Sequence, residues 1–261
     1  MTVAEPAVRA ESVTPASPPL EAPHRPALFL DLDGTLAPIM PRPDDVGPDP
    51  RRARLLARLI AALDGRVAVI SGRSLPDLDH ILGGGVRAIA AVHGLVRRTA
   101  DGRLVDREPH PGLDEARRIL GELAHCERNL LFEDKGLSVA LHYRNAPGCA
   151  EAVNEAAERL SQATGLVLQQ GDMVAELRTP GADKGAAVRA FLREPPFVNA
   201  TPIFVGDDLT DEDGFTAAEA LGGFGVLVGA PRPTAASYRL ADNEAVFGWL
   251  DSLRAPMETR L

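Results

Sequence analysis

Five short, almost uninterrupted apolar runs most constrain how this chain can fold. They occupy residues 27–31, 67–71, 88–92, 202–205 and 224–228, and several are separated by segments with helical periodicity. Nearly continuous apolar runs are typical of strands that are buried on both faces of a parallel sheet. Their alternation with helices predicts an α/β fold built on a doubly wound, mostly parallel sheet.

Two of the predicted helices have clear start signals. Asp49-Pro50 offers an N-cap followed by a proline at the first helical position, and Gly65 marks the end of that helix. Ser74, with Asp77 three residues later, offers the cap of a second helix. Both helices follow the pattern expected between strands of such a sheet.

The alternation changes between residues 101 and 180. A hairpin is predicted at Asp101-Gly102, and it is followed by helix, hairpin, helix and hairpin, at residues 113–125, 134–136, 149–164 and 171–172. This order predicts an antiparallel sheet with helices on one face. We therefore expect an inserted α+β unit at residues 101–180 between two parts of one core, residues 27–100 and 181–261.

Residues 1–26 have a biased composition, with six prolines among Ala, Glu and Ser. The segment has no apolar run with a basic flank, so we do not expect a secretory signal. We predict a mostly disordered tail. Elsewhere the sequence has no apolar run of the length that a membrane span needs.

The charge balance excludes some partners. The chain carries 28 Lys and Arg against 37 Asp and Glu, a formal net charge of −9, which offers no counter-charge to nucleic acid. The two cysteines, Cys126 and Cys149, show no metal-ligand spacing, which favours a reducing compartment. We expect a cytoplasmic monomer that acts on a small molecule and binds neither nucleic acid nor a membrane.

Two aspartates end the first apolar run. Asp31 and Asp33 are two residues apart, so an extended chain points both to the same side, at the edge of the sheet where ligands bind. Gly34-Thr35 is expected to turn sharply and present N–H groups to an anion. Two such close carboxylates are tolerable when a divalent cation binds beside them.

Three further segments are predicted to reach the same edge. Ser71 ends a strand and is followed by Gly72 and Arg73, Lys184 lies in the first turn of the helix after the inserted unit, and Asp207 begins an acidic cluster. A hydroxyl and an ammonium would hold a phosphoryl group, and the acidic residues would hold a metal ion. This order indicates magnesium-assisted phosphoryl transfer through an aspartyl-phosphate.

The same segments carry a resemblance to a known superfamily. "DLDGTL", "ISGR", Lys184 and "GDDLTDE" resemble the four motifs of the haloacid dehalogenase (HAD) superfamily in order and spacing. Within it, the chain resembles the trehalose-6-phosphate phosphatases, through His93-Gly94, "FEDKGLSVALHYR" and "VAELRTPGADKG". The resemblance implies a Rossmann-like, HAD-type core, and it makes the inserted unit a cap that closes over the active site.

The resemblance assigns the chemical roles residue by residue. Asp31 would be the nucleophile, and Asp33 would be the general acid and then the general base. Mg²⁺ would bind the carboxylates of Asp31 and Asp207 and the backbone carbonyl of Asp33, with Asp211 as an outer partner. Asp208 and Glu212 are weaker candidates.

The remaining assignments concern the substrate. The resemblance places Ser71 and Lys184 on the transferring phosphoryl group. The residues predicted to bind the substrate are Gly34, Thr35, Gly72 and Arg73 near the phosphate, His93 near the junction with the cap, and Glu133, Lys135, His142, Arg144 and Glu176 on the sugar. Asp134 departs from the family pattern, in which a basic residue is expected, and this weakens the assignment of Lys135.

The implied activity is the Mg²⁺-dependent hydrolysis of trehalose 6-phosphate, a step of trehalose biosynthesis. One alternative is the same chemistry on another sugar phosphate, such as sucrose phosphate or mannosyl-3-phosphoglycerate. A second alternative is a sensor that binds a sugar phosphate without turnover. The presence of both Asp31 and Asp33 argues against the sensor, which needs neither a nucleophile nor an acid.

Overall fold

The computed structural model describes residues 16–171 and 173–254. Within these residues the chain forms twelve strands and seven α-helices. In chain order they are β1 (Pro26–Leu30), α1 (Pro50–Ala62), β2 (Val67–Ile70), α2 (Leu75–Leu82), β3 (Ala88–Ala91), β4 (Val96–Arg98), β5 (Leu104–Asp106), α3 (Leu113–Cys126), β6 (Leu131–Asp134), β7 (Ser138–His142), α4 (Ala150–Thr164), β8 (Val167–Gly171), β9 (Val174–Arg178), α5 (Lys184–Phe191), β10 (Thr201–Gly206), α6 (Glu212–Ala220), β11 (Phe224–Val228), β12 (Tyr238–Leu240) and α7 (Asn243–Ser252). No helix in this part of the chain is both long enough and apolar enough to cross a membrane.

The larger sheet has eight strands in the order β12-β11-β10-β1-β2-β3-β4-β5. The first six are parallel to one another, and β4 and β5 extend the sheet in antiparallel pairing. All five predicted strands are present, and their ends differ from the prediction by no more than one residue. The expected α/β fold with a mostly parallel sheet is therefore confirmed.

Burial on both faces explains why these strands are apolar throughout. In β1, Leu28 and Leu30 belong to one hydrophobic cluster, whereas Ala27 and Phe29 belong to another. Successive residues of a strand point to opposite faces, so both faces need apolar side chains. Helices α1, α2 and α7 contribute to the first cluster, and α5 and α6 contribute to the second.

The smaller sheet is antiparallel, in the order β6-β7-β9-β8. Helices α3 and α4 pack against it through a third cluster, which includes Leu120, Leu160, Leu141 and Leu177. We call this unit of β6–β9 with α3 and α4 the cap. Its helix, hairpin, helix, hairpin order matches the predicted pattern, although Asp172 of the predicted last turn lies outside the described residues.

The predicted hairpin at Asp101-Gly102 forms, but it joins the larger sheet. Strand β4 pairs with β3, and β5 pairs with β4, so residues 104–106 belong to the core sheet. The passage from core to cap therefore lies between Asp106 and Leu113, whereas the predicted inserted unit begins at residue 101. The sequence of a hairpin defines its turn but not the sheet edge on which it pairs.

The predicted disordered tail covers residues 1–26, of which residues 1–15 lie outside the described residues, as do residues 255–261 of the predicted core. The described part differs from the prediction. Ala16 pairs with Tyr238 beside β12, and the backbones of Ala22 and Arg254 are hydrogen-bonded. The indole N–H of Trp249 donates to the carbonyl of Pro19 (2.9 Å). These contacts use backbone groups, which a proline-rich composition does not reveal.

We predict that Phe29→Ala lowers the free energy of unfolding by about 3–5 kcal/mol, because it opens a cavity in a packed cluster. Phe29 is fully buried, and its ring lies 6.1 Å from that of Phe191 and 5.6 Å from that of Phe197. Guanidinium denaturation followed by the fluorescence of Trp249 measures the change. Leu104→Ala, at a residue 58% exposed, is the control and should change stability by less than about 0.5 kcal/mol. Equal midpoints for both variants would contradict this description of the core.

Candidate active site

The candidate site lies where three neighbouring strands of the larger sheet end. Strands β10, β1 and β2 are adjacent and parallel, and each is followed at its carboxyl end by a polar residue: Asp207, Asp31 and Ser71. In open α/β sheets this edge is where ligands bind. It opens into a cavity of about 380 Å³ between the sheet and the cap.

Residues from both units line this cavity. From the core they include Asp31, Asp33, Ser71, Gly72, Arg73, His93, Lys184, Asp207 and Asp208, and from the cap they include Glu133, Lys135, His142, Arg144, Gln169 and Glu176. The cavity therefore brings together predicted site residues of all four core segments and every predicted cap residue, although Gly34, Thr35 and Asp211 are not among its lining residues. Their chemical roles remain predictions.

Lys184 is the central charge of the core side. Its ammonium donates to Oδ1 of Asp31 (2.8 Å) and to Oδ1 of Asp211 (2.6 Å), and all three side chains are almost completely buried. Burial opposes the charged form of Lys184, but the carboxylates of Asp211 and Asp31 outweigh it and raise the pKa of Lys184. The lysine therefore stays protonated in this environment.

Three carboxylates converge beside this lysine. Asp31, Asp207 and Asp211 each offer an oxygen atom, and these atoms all lie within 4.8 Å of one another. Burial raises the pKa of Asp31 well above its usual range, and burial together with Asp211 raises the pKa of Asp207 to about 7. Oδ1 of Asp207 is buried and accepts no hydrogen bond from a described residue. This donor set fits a divalent cation, which would relieve the repulsion and occupy the unpaired oxygen.

Gly34 and Thr35 do not line the cavity, in contrast to the prediction that they bind the substrate. The N–H of Gly34 donates to the carbonyl of Ala37 (2.7 Å), and the N–H of Thr35 donates to that of Leu32 (3.3 Å). Both N–H groups are therefore used within the turn. Gly34 is needed for another reason: its φ is +79°, and a Cβ there would lie 1.9 Å from Oδ2 of Asp207.

Asp33 is paired with Arg73. Nε and Nη2 of the guanidinium donate to the two carboxylate oxygens at 2.7 and 2.8 Å, and Nη1 donates to the carbonyl of Pro43 (2.9 Å). Three donors of Arg73 therefore bind this chain, while its side chain also lines the cavity, and its assignment as a substrate ligand stays a prediction. A bidentate pair of this kind fixes the orientation of the carboxylate.

His93 connects the core to the cap. Its Nε2 lies 3.2 Å from Nε2 of Gln169 and 3.6 Å from Oε2 of Glu176. The ring passes so close to Gly72 that a Cβ there would lie 2.5 Å from Nε2. Burial lowers the pKa of His93, despite the opposing contact with Glu176. Within the core, the hydroxyl of Ser71 accepts a hydrogen bond from the backbone N–H of Arg73 (3.2 Å).

The cap presents the helix-free face of its sheet to the cavity. Glu133 pairs across the strands with Ala140, Ala140 pairs with Glu176, and Glu176 pairs with Gln169, so these side chains form one row. Directly opposed residues of neighbouring strands share a face, and the short Ala140 leaves space between the two glutamates.

Ion pairs link the side chains of this row. The ammonium of Lys135 donates to Oε2 of Glu176 (3.0 Å) and lies 3.8 Å from Oε2 of Glu133, which is 2.9 Å from Nε2 of His142. Burial alone would raise the pKa of Glu176, but Lys135 and His93 outweigh it and lower that pKa. Lys135 and Glu176 are therefore both charged before any ligand binds.

Sequence reasoning missed several residues of the cavity. Gln169 could have been found from its position across from Glu176, once the last hairpin was aligned. Ile39 and Met40 line the entrance and are 58% and 38% exposed, but they lie in a proline-rich loop without a periodic pattern. Exposed apolar residues at a cavity mouth offer contact to the apolar face of a ligand.

The two weaker candidates have local structural contacts. The carboxylate of Asp208 accepts from the N–H of Leu209 (2.7 Å) and caps the turn before α6, although Asp208 also lines the cavity. Glu212 pairs with Arg232 and accepts from the N–H of Ala235 (2.7 Å). Glu212 therefore ties the first turn of α6 to the loop between β11 and β12.

Comparisons with known proteins indicate one family. The sequence profile of the family described as trehalose-phosphatase matches residues 29–244. Over 240 residues the chain is 38% identical to the trehalose-6-phosphate phosphatase of Escherichia coli K12, which covers 90% of this chain and 88% of that protein.

Solved structures show the same fold. The C-terminal domain of C. albicans trehalose-6-phosphate phosphatase superposes with a TM-score of 0.75 at 22% identity, covering 88% of this chain and 92% of that one. A HAD-superfamily phosphatase from Bacteroides thetaiotaomicron superposes with a TM-score of 0.59 at 15% identity, covering 86% and 92%. Given the matched profile and the extent of the sequence identity, this chain belongs to the trehalose-phosphatase family.

Proposed function

We propose that this protein is a Mg²⁺-dependent phosphatase that hydrolyses trehalose 6-phosphate to trehalose and phosphate. One observation carries the proposal: a single cavity places the buried carboxylate of Asp31 opposite a row of charged cap residues suited to sugar hydroxyls. Its volume of about 380 Å³ lies within the range of small-molecule sites, which is roughly 300–1,000 Å³. Membership of the family supports the choice of substrate.

In this mechanism a carboxylate oxygen of Asp31 attacks phosphorus and forms an aspartyl-phosphate while the bond to the sugar oxygen breaks. The ammonium of Lys184 favours the ionised form of Asp31 through its contact at 2.8 Å, against the burial that raises the pKa of Asp31, and it stabilises the negative charge that develops on the phosphoryl oxygens. Ser71, at the end of the neighbouring strand, binds the same oxygens.

Asp33 carries out both proton transfers of the reaction. It gives a proton to the leaving sugar oxygen, then takes one from the water that attacks the aspartyl-phosphate and releases phosphate. The bidentate contact with Arg73 corresponds to the ionised form of Asp33, which is the form that accepts a proton. To act as the acid, Asp33 gives up one of these two contacts and holds a proton on the freed oxygen.

The carboxylates of Asp31 and Asp207, with the backbone carbonyl of Asp33, would hold Mg²⁺. When bound, the ion neutralises charge on the carboxylates and on the transferring phosphoryl group. Asp211 stabilises this arrangement, because its carboxylate contacts Lys184 and accepts hydrogen bonds from the backbone N–H groups of residues 207 and 208.

The charged row of the cap would recognise the sugar. Glu133, Lys135 and Glu176 offer donors and acceptors to hydroxyl groups, and His142 and Arg144 extend the row. A sugar that lacks the matching hydroxyls would leave unpaired those acceptors that the row does not satisfy itself, such as the buried Oε1 of Glu176, which is how polar sites discriminate strongly. His93 and Gln169 complete the site at the junction of core and cap.

We also propose a cytoplasmic location. Cys126 and Cys149 are both free thiols, as is usual for proteins of a reducing compartment.

The substrate assignment is tested by phosphate release from a panel of trehalose 6-phosphate, sucrose 6-phosphate, mannosyl-3-phosphoglycerate and glucose 6-phosphate. We expect kcat/KM for trehalose 6-phosphate to exceed that for glucose 6-phosphate by at least about 100-fold, since unmatched polar groups in the cap penalise the smaller sugar. EDTA should abolish turnover, and added Mg²⁺ should restore it. Equal turnover of simple hexose phosphates would contradict the assignment, and binding without turnover would indicate a sensor.

Replacing Asp31 by Asn should lower kcat by at least about 10⁴-fold, because the amide cannot attack phosphorus. The measurement is phosphate release from purified protein, with a circular dichroism spectrum to show that the fold is retained. Asp251→Asn is the matched control, since Asp251 forms a surface ion pair with Arg58 and lies outside the cavity. Substantial activity in Asp31→Asn would exclude this residue as the nucleophile.

Asp33→Asn should slow the second half-reaction, because no base remains to activate water. An acid-quenched reaction should then contain accumulated acyl-phosphate, from which hydroxylamine liberates phosphate. Asp31→Asn serves as the negative control, since it cannot form the intermediate. A normal rate without accumulation would remove Asp33 from the proton transfers.

A further inference from the structure

Arg232 lies in the loop between β11 and β12, and its guanidinium reaches the two residues that follow β10. Nη2 donates to the carbonyl oxygens of Asp208 (2.8 Å) and Asp207 (3.4 Å). Nη1 contacts the carboxylate of Glu212 in the first turn of α6, and it lies 3.2 Å from the carbonyl of Pro233. A guanidinium can serve several acceptors at once because its N–H groups form a rigid fork.

The same two residues are held from the opposite side by Asp211. Its Oδ2 accepts from the N–H groups of Asp207 and Asp208, both at 2.9 Å. The N–H groups are therefore bound by a buried carboxylate, and the carbonyl groups are bound by Arg232. Together, the side chains of Asp211 and Arg232 restrain the backbone of residues 207 and 208 through both its N–H groups and its carbonyl groups.

The carboxylate of Asp207 has little freedom of its own. It packs on the backbone of Gly34, where an added Cβ would lie 1.9 Å from Oδ2, and its Oδ1 is buried without a hydrogen-bond partner among the described residues. Its oxygen lies within 4.8 Å of those of Asp31 and Asp211. A small shift of the backbone at residue 207 would therefore change the spacing of the three carboxylates.

Glu212 holds the guanidinium of Arg232 in place. Its carboxylate contacts Arg232 with one oxygen and accepts from the N–H of Ala235 (2.7 Å) with the other. It thereby orients the guanidinium and ties the loop after β11 to α6. This contact gives Glu212 a structural role, although the sequence alone suggested it as a weaker candidate for a metal ligand.

We propose that Arg232 is a positioning residue for the cation site: by fixing the backbone of residues 207 and 208, it sets the affinity of the site for Mg²⁺. The inference rests on the proposed function, because it takes Asp207 as a ligand. Arg232 acts through Asp207, in the way that outer partners of metal ligands commonly tune affinity.

The test is isothermal titration of the full, EDTA-treated and dialysed protein with MgCl₂. We expect Arg232→Ala to weaken Mg²⁺ binding by at least about tenfold. Arg232→Lys should weaken it by about threefold or more, because an ammonium cannot replace the fork that joins Asp208 to Glu212.

Arg239→Ala is the matched control. Nε of Arg239 donates to the carbonyl of Gly229 (2.6 Å), so this arginine supports the same loop without contacting residues 207 or 208. Its Mg²⁺ affinity should stay within about twofold of the wild type. Thermal melts of the metal-free proteins separate stability from affinity.

A selective loss of affinity in the Arg232 variants supports the proposal. It is overturned by unchanged affinity in folded Arg232→Ala, with or without a lower metal-free melting temperature, or by an equal loss in Arg239→Ala. Where Arg232→Ala does not fold, Arg232→Lys decides, and wild-type affinity in that variant overturns the proposal. Absence of Mg²⁺ binding in the wild type would overturn the metal site of the proposed function and this inference with it.

Discussion

The contact of one buried ammonium with two buried carboxylates is the constraint on which the rest of the site depends. Lys184 lies within 2.8 Å of Asp31 and 2.6 Å of Asp211, and water reaches none of the three to any extent. Each charge alone would be costly to bury, and removal of one partner from such a group leaves the others uncompensated. The lysine therefore makes a dense acidic cluster possible at the end of a hydrophobic sheet.

The position of Lys184 also connects the two units of the protein. It is the first residue of α5, directly after the N-cap Asp183, whose carboxylate accepts from the N–H of Ala186 (2.6 Å). The chain returns from the cap through β9 and enters the core at this residue. The element that carries Glu176, a residue of the cavity lining, thus leads, within eight residues, to the lysine beside Asp31.

Much of the fold follows from local patterns. The strands were predicted from continuous apolar runs, and the helices α1 and α2 from capping residues that act as expected: Asp49 accepts from the N–H of Arg51, and Ser74 accepts from that of Asp77. The sheet edge on which β4 and β5 pair was not predictable, because a hairpin pattern has no information about its neighbour. The contacts of residues 16–25 with the core were not predictable either, because the local sequence does not show which distant segment a backbone group will bind.

The sequence by itself determined which residue types follow each strand, and hence that carboxylates, a hydroxyl and a lysine would meet at one edge of a parallel sheet. Only the tertiary structure decided how these groups pair: Lys184 with Asp31 across 153 residues, Arg73 with Asp33 across 40, and Lys135 with Glu176 across 41. The physical reason is range. Strands, turns and caps are set by neighbours in the chain, whereas an ion pair depends on distances of a few ångströms between segments whose approach is set by packing.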